Sequence, residues 1–173
     1  MHLAYVMTET RGGTDRLLSS LAEALHAKGI ALAGIVQTNT ECSDDALCDM
    51  DVRVLPAGET IRISQSLGAG ARGCRLNPEA LEQAVGQVSS SLTAEPRPQV
   101  LIVNKFGKHE ADGRGMRPVI GEALAQGLVV VSGVNRMNVD PFKAFSDGMA
   151  VQGASDLDGL VAWVEQALAE DKS

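Results

Sequence analysis

Hydrophobic and polar positions fall along this chain in blocks of two kinds. Short, almost wholly apolar runs stand at Leu3–Met7, Ile30–Val36, Val100–Val103 and Leu128–Ser132. Runs of that length with no polar face are expected of strands buried on both sides, as in a parallel sheet. Between them, apolar residues recur at three- and four-residue spacing. Leu17, Leu18, Leu21, Ala22 and Leu25 do so within Asp15–Lys28, and Leu81, Ala84, Val85 and Val88 do so in a stretch opened by Asn77 or Pro78. Such spacing gathers side chains on one helical face. Thr14 or Asp15 can cap the first helix, and Gly29 ends it. Met116–Gln126 and Asp156–Glu170 read as further helices, Pro141–Ser146 as a short one, and Met149–Gln152 as an edge strand.

One region breaks the strand–helix alternation. Asp49–Leu55 and Thr60–Gln65 flank Pro56-Ala57-Gly58-Glu59 and predict a β-hairpin, and Cys74–Leu76 a brief strand. Thr38–Leu47, Ser66–Gly73, Asn104–Arg114 and Gly133–Asp140 read as loops. The expected architecture is one α/β domain over residues 1–173. It has three layers, a mostly parallel sheet flanked by helices, and a hairpin inserted at about 48–76.

Composition narrows the functions available. With 173 residues the chain can bury about 70% of the surface its unfolded form exposes, so no disulfide or structural metal is needed. Aromatics make up only 3%, which predicts an aliphatic core and leaves too few rings for a single-strand stacking platform. Fifteen Lys and Arg against 22 Asp and Glu give a net charge of −7, which argues against long nucleic acids and anionic membranes. No stretch is apolar enough for a transmembrane helix, and the first residues lack a basic signal-peptide region. Cys42, Cys48 and Cys74 form no C-x-x-C pair. A cytoplasmic location with reduced thiols is expected. A homo-oligomer or a protein partner is left open.

The basic residues are unevenly placed. Arg11 and Arg16 follow the first strand; Lys105, Lys108 and Arg114 follow Val100–Val103; Arg136 follows Leu128–Ser132; and Arg72 and Arg75 lie beside the hairpin. Ligands of open α/β sheets sit beyond the carboxyl ends of the strands. An acidic chain with a basic strand edge suggests a small anionic ligand, although charged loops are also common where nothing binds.

The first loop carries the chemistry. Thr8-Glu9-Thr10-Arg11-Gly12-Gly13-Thr14-Asp15-Arg16 links a strand to a helix through two glycines. A phosphate-binding loop of pattern G-x-x-x-x-G-K-[ST] uses that geometry to aim backbone N–H groups and a helix dipole at an anion. With Gly13 as its last glycine, Thr14 stands in the lysine position and Asp15 in the Ser/Thr position that holds Mg²⁺. The first glycine is absent. A tight strand-to-helix turn explains the same residues. In the phosphate reading, Gly12, Gly13 and Thr14 supply backbone donors and Arg11 and Arg16 supply charge. Asn104, Lys105 and Lys108 then contact a distal phosphate or its water. Val100–Val103 runs into Asn104-Lys105 where a Walker B strand would carry acids. Glu110, or Glu9, is the carboxylate available to orient water. Cys48 and Cys74 flank the hairpin. With Asp49 and His109 they are candidates for a metal or oxyanion site, or else two small buried hydrophobes. No G-x-S-x-G elbow supports nucleophilic hydrolysis.

Four segments resemble a bacterial family of uncharacterised P-loop-NTPase-like proteins. They are Cys48-Asp49-Met50-Asp51, Arg62-Ile63-Ser64-Gln65, Gly68-x-Gly70-x-x-Gly73-Cys74-Arg75-Leu76 and Asn104-Lys105-Phe106-Gly107-Lys108. The resemblance extends from about Leu3 to Phe145. That family is similar to the thermostable nucleoside-triphosphatases, with Asn104–Glu110 standing where those carry D-E-I-G-x-x-E. The resemblance implies a P-loop NTPase-like fold with ATP or GTP as ligand, with Mg²⁺ as its companion and slow triphosphatase activity as an alternative. It also implies a link to molybdenum, hence molybdate as an alternative ligand. The exchanged lysine, hydroxyl and acids imply weak or absent hydrolysis.

Overall fold

The computed structural model describes residues 1–39, 49–65 and 75–171. Its strands are β1 (Leu3–Val6), β2 (Leu32–Asn39), β3 (Met50–Val54), β4 (Thr60–Arg62), β5 (Val100–Phe106), β6 (Val129–Val134) and β7 (Val151–Gln152). They form one sheet in the order β4-β3-β2-β5-β6-β1-β7. β2, β5, β6, β1 and β7 run parallel, while β3 pairs antiparallel with β2 and β4 with β3. The hairpin thus extends the sheet at one edge. Beyond β4, Ser64 and Leu76 form an isolated antiparallel bridge where a brief strand over Cys74–Leu76 was expected, Cys74 lying outside the described residues.

The helices are α1 (Gly13–Ala27), α2 (Pro78–Ser91), α3 (Lys108–Ala111), α4 (Arg117–Ala125), α5 (Val139–Phe145) and α6 (Leu157–Glu170). The sheet separates two cores because successive strand residues point to opposite faces. Leu3 and Tyr5 of β1 join Leu101 and Val103 of β5 beneath α2, α4 and α5. Val6 joins Val100 and Ile102 beneath Leu18, Leu21 and Leu25 of α1 and Leu160 and Val164 of α6. The result is the three-layer α/β arrangement expected from the apolar runs.

Three local expectations change. The first helix is capped neither by Thr14 nor by Asp15 but by Gly12, whose backbone turns left-handed at φ 68°. Val100–Val103 continues as strand to Phe106, across a register irregularity, where an immediate loop was expected. The polar Asn104 is accommodated in the strand because its side chain is hydrogen-bonded inside the fold. A short helix, α3, then replaces part of the expected loop. Finally, the core is not purely aliphatic. Phe106 and Phe142 are fully buried and meet edge to face at 5.0 Å, with Tyr5 at 5.8 Å from Phe142 and Phe145 at 5.5 Å from Phe106. The few rings cluster beneath the ends of β1 and β5. α2 begins as expected: the Asn77 side chain accepts from the N–H groups of Glu79 and Ala80.

Phe142→Ala should cost about 3–5 kcal/mol, since it empties a buried ring site and removes three aromatic contacts. Met137→Ala, at a position 88% exposed, should change stability by less than about 0.5 kcal/mol. Urea unfolding midpoints check both.

Candidate functional site

β6 lies between β1 and β5, so the carboxyl ends of these three strands meet side by side. An open cleft of about 930 Å³ occupies that edge. The loop after β1 contributes Thr8, Glu9, Thr10, Gly12, Thr14 and Asp15. Asn104 and Lys105 come from β5, Gly133 to Arg136 from the end of β6, and Gln152 and Ser155 from beyond β1.

The loop is drawn tight by its own polar groups. Gly13 N–H donates to the Thr10 carbonyl at 2.9 Å, and Thr8 N–H donates to Thr14 Oγ1 at 3.1 Å. The hydroxyls of Thr8 and Thr14 lie 3.0 Å apart. Thr14, in the lysine position of a phosphate loop, is therefore turned into the loop as a staple. A side chain at Gly13 would collide with the hydroxyls of Thr8 and Thr10. Gly13 thus shapes the loop from behind. Among the described residues, no acceptor is bonded to the N–H groups of Thr10, Arg11, Gly12, Thr14 and Asp15. These donors stand at the positive end of a 15-residue helix.

Asp15 is held from two sides. Asn104 Nδ2 donates to its Oδ1 and Asn39 Nδ2 to its Oδ2, both at 2.8 Å. Asn104 Oδ1 in turn accepts from Gln37 N–H at 2.8 Å, and Gln37 Nε2 donates to Asn39 Oδ1 at 2.8 Å. This chain ties the ends of β2 and β5 to the start of α1. Lys105 is exposed at the cleft and, among the described residues, makes no ion pair.

The expected site residues divide as follows. Gly12, Thr14, Asp15, Asn104 and Lys105 line the cleft together, with Glu9. Arg11 and Arg16 are exposed and outside its lining, with Arg16 Nη2 donating to the Arg11 carbonyl at 3.4 Å. Lys108 pairs with Asp112 at 2.8 Å, one turn along the chain. Arg75 reaches Asp49 at 3.4 Å beside the hairpin. His109 Nε2 lies 3.0 Å from Glu82 Oε1, which also accepts from Gly115 N–H. Cys48 and Cys74 lie outside the described residues, as do Cys42 and Arg72. Among the described residues no group of three or more His, Cys, Asp and Glu side chains is arranged to hold a metal. Asn135, Gln152 and Ser155 were not singled out from the sequence. Asn135 follows a buried strand, so the strand-end rule that found Arg136 reaches it too.

Glu110 is buried away from the cleft. Its Oε2 accepts from Gly107 N–H at 2.9 Å and its Oε1 from Met116 N–H at 3.2 Å. Burial raises its pKa above the ordinary 4.5, with the backbone bonds opposing. The folded protein thus holds this proton more tightly than the unfolded chain. The group favours folding most below pH 4.5, and that advantage is lost as pH rises through the folded value. The stability of wild type relative to Glu110→Gln should therefore fall as pH is raised from about 4 to 7. Urea titrations across that range check the sign.

The fold is that of P-loop-NTPase-like proteins. It matches the solution structure of a human cancer-related nucleoside triphosphatase with a TM-score of 0.65 at 16% identity, over the whole of both chains. It also matches the crystal structure of THEP1 from the hyperthermophile Aquifex aeolicus with a TM-score of 0.62 at 15% identity, over 98% of each chain. In sequence the chain is 29% identical over 161 residues to a Bradyrhizobium diazoefficiens protein named "Molybdenum import ATP-binding protein ModC 2". That match covers 93% of this chain but only 18% of the relative. No described helix is long and apolar enough to cross a membrane. The model of one protein family matches residues 3–163, which take in the glycine loop, the hairpin and Asn104-Lys105; the chain belongs to the family described as "Protein of unknown function (DUF2478)".

Proposed function

We propose that the protein binds a nucleotide, ATP or GTP, or another small phosphorylated ligand, in the cleft at the ends of β1, β5 and β6, with weak or absent hydrolysis. The observation that carries this reading is the set of unbonded N–H groups at Thr10–Gly12, Thr14 and Asp15. They stand at a helix start, and Thr10, Gly12, Thr14 and Asp15 among them line a cleft that Lys105 also lines. Backbone donors and a helix dipole serve any phosphate group. Lys105 supplies from β5 the amine that the loop lacks at Thr14. ATP binding is named for the Bradyrhizobium relative, and nucleoside triphosphatase is the name of the human structural neighbour.

Weak hydrolysis follows from the same exchanges. Triphosphate cleavage needs a group that orients water, and no carboxylate stands at 104 or 105 to do so. Glu110 is occupied by two backbone donors and holds the turn after β5. Among the described residues, Glu9 is the remaining carboxylate at the cleft besides Asp15. A Mg²⁺ carried by the nucleotide fits the donor set through Asp15, whose two oxygens are already oriented by amides.

A second reading, binding of molybdate or a similar oxyanion, is supported by the molybdenum-import name of the sequence relative. The same backbone donors and Lys105 suit a tetrahedral dianion. Calorimetric titration with ATP, GTP, phosphate, sulfate and molybdate separates the two. Heat with a nucleotide supports the first reading, heat with molybdate alone supports the second, and none with any ligand removes both. In the nucleotide reading, Lys105→Ala should weaken affinity by roughly tenfold, the size of one charge-assisted hydrogen bond. Phosphate release from ATP should stay near the buffer rate. Steady turnover above about 1 s⁻¹, within the range of ordinary enzymes, would contradict it.

A further inference from the structure

The mouth of the cleft is bridged by an ion pair between its two walls. Arg136 Nη2 lies 3.2 Å from Glu9 Oε1, and the two side chains are 80% and 89% exposed. Glu9 belongs to the loop after β1 and Arg136 to the turn after β6, 127 residues apart in sequence. Both line the cleft. The backbone of Arg136 is firmly placed. It opens a single 3₁₀ turn, Arg136–Asn138, directly beyond the buried β6, and the Asn135 side chain caps that turn by accepting from Asn138 N–H at 3.0 Å. The guanidinium is therefore a cation on a fixed mount, with its charge matched by a carboxylate on the glycine loop itself.

Among the described residues, the charged side chains lining the cleft are Glu9, Asp15, Lys105 and Arg136, two of each sign. Asp15 is already held by two amides. Of these four, Glu9 and Arg136 pair acid with base, across the cleft from one wall to the other.

We infer that Glu9 is an internal counter-anion that occupies Arg136 until a ligand anion displaces it, which makes Arg136 the second cationic contact of the cleft and Glu9 the residue that lowers its affinity. This rests on the anion-binding reading given above and adds a specific pair to it. An exposed ion pair contributes little, so a phosphate group that also engages the loop N–H groups and Lys105 can replace it. On release, Glu9 turns to solvent and the guanidinium keeps a bidentate face for phosphate oxygens.

Calorimetric titration of ATP and of inorganic phosphate into wild type, Glu9→Gln, Arg136→Gln and the double variant tests this. Glu9→Gln should tighten binding about two- to fivefold, the size of an exposed pair. Arg136→Gln should weaken it roughly tenfold. In the Arg136→Gln background, Glu9→Gln should have no further effect, because the competitor acts only through that guanidinium. Equal tightening in both backgrounds would show general repulsion of the ligand by Glu9 and overturn the inference, as would unchanged or weaker binding by Glu9→Gln. If none of the four proteins binds either ligand, the anion-binding reading itself falls, and the inference with it. Both side chains are exposed, and equal unfolding midpoints confirm that the variants are folded.

Discussion

β6 separates β1 from β5, and that placement decides where each polar group of the cleft goes. With one strand between them, the start of α1 faces the end of β5 across a gap that side chains can span. Asp15 and Asn104 close that gap at 2.8 Å, although they are 89 residues apart in the chain. Asn39 holds the other oxygen of the same carboxylate from the end of β2. The glycine loop is thus anchored to two strands of the sheet through one side chain. Of the loop residues whose N–H groups meet no acceptor among the described residues, Thr10, Gly12, Thr14 and Asp15 line the cleft. Were Asp15 neutral and short, as the hydroxyl of a phosphate loop is, Asn104 and Asn39 would lose their common acceptor. Asp15 and Asn104 therefore act as one feature, joined by their bond.

The same reasoning explains why charge is relocated. A carboxylate in the loop weakens the positive end of α1 for an anion. The amine at Lys105 stands on the neighbouring strand and restores a cation to the cleft without touching the loop. Glu9 and Arg136 repeat the arrangement at the mouth, one acid on the loop and one base on a strand end. The acidic total of −7 is thus compatible with a cleft whose strand side is basic and whose loop side is acidic.

Much of the fold was legible in the sequence because its strands are buried on both faces. Val100–Val103 is wholly apolar and Leu128–Ser132 carries one small polar residue at its end, so composition and length identify them directly. The inserted hairpin was legible from its turn residues, and Asn77 from its place before Pro78. The site was legible as far as strand ends and glycines reach, which brought out Gly12, Thr14, Asp15, Asn104, Lys105 and Arg136. What was not legible depends on contacts distant in sequence. Nothing in Asn104 or Asp15 alone announces their bond, nor in Glu110 that its two oxygens take the N–H groups of Gly107 and Met116. Gly13 reads as a backbone donor to ligand until its N–H is seen to meet the Thr10 carbonyl. The clustering of Tyr5, Phe106, Phe142 and Phe145 is likewise a property of packing, not of composition.

The central claim is that a phosphorylated ligand is held by the loop after β1 together with the end of β5. Amide resonances followed by nuclear magnetic resonance during titration with ATP test it most directly. Shifts concentrated at Thr10–Asp15 and Lys105, saturating together, are the expected result. Shifts confined to the far side of the sheet, or none at millimolar ATP, would contradict it.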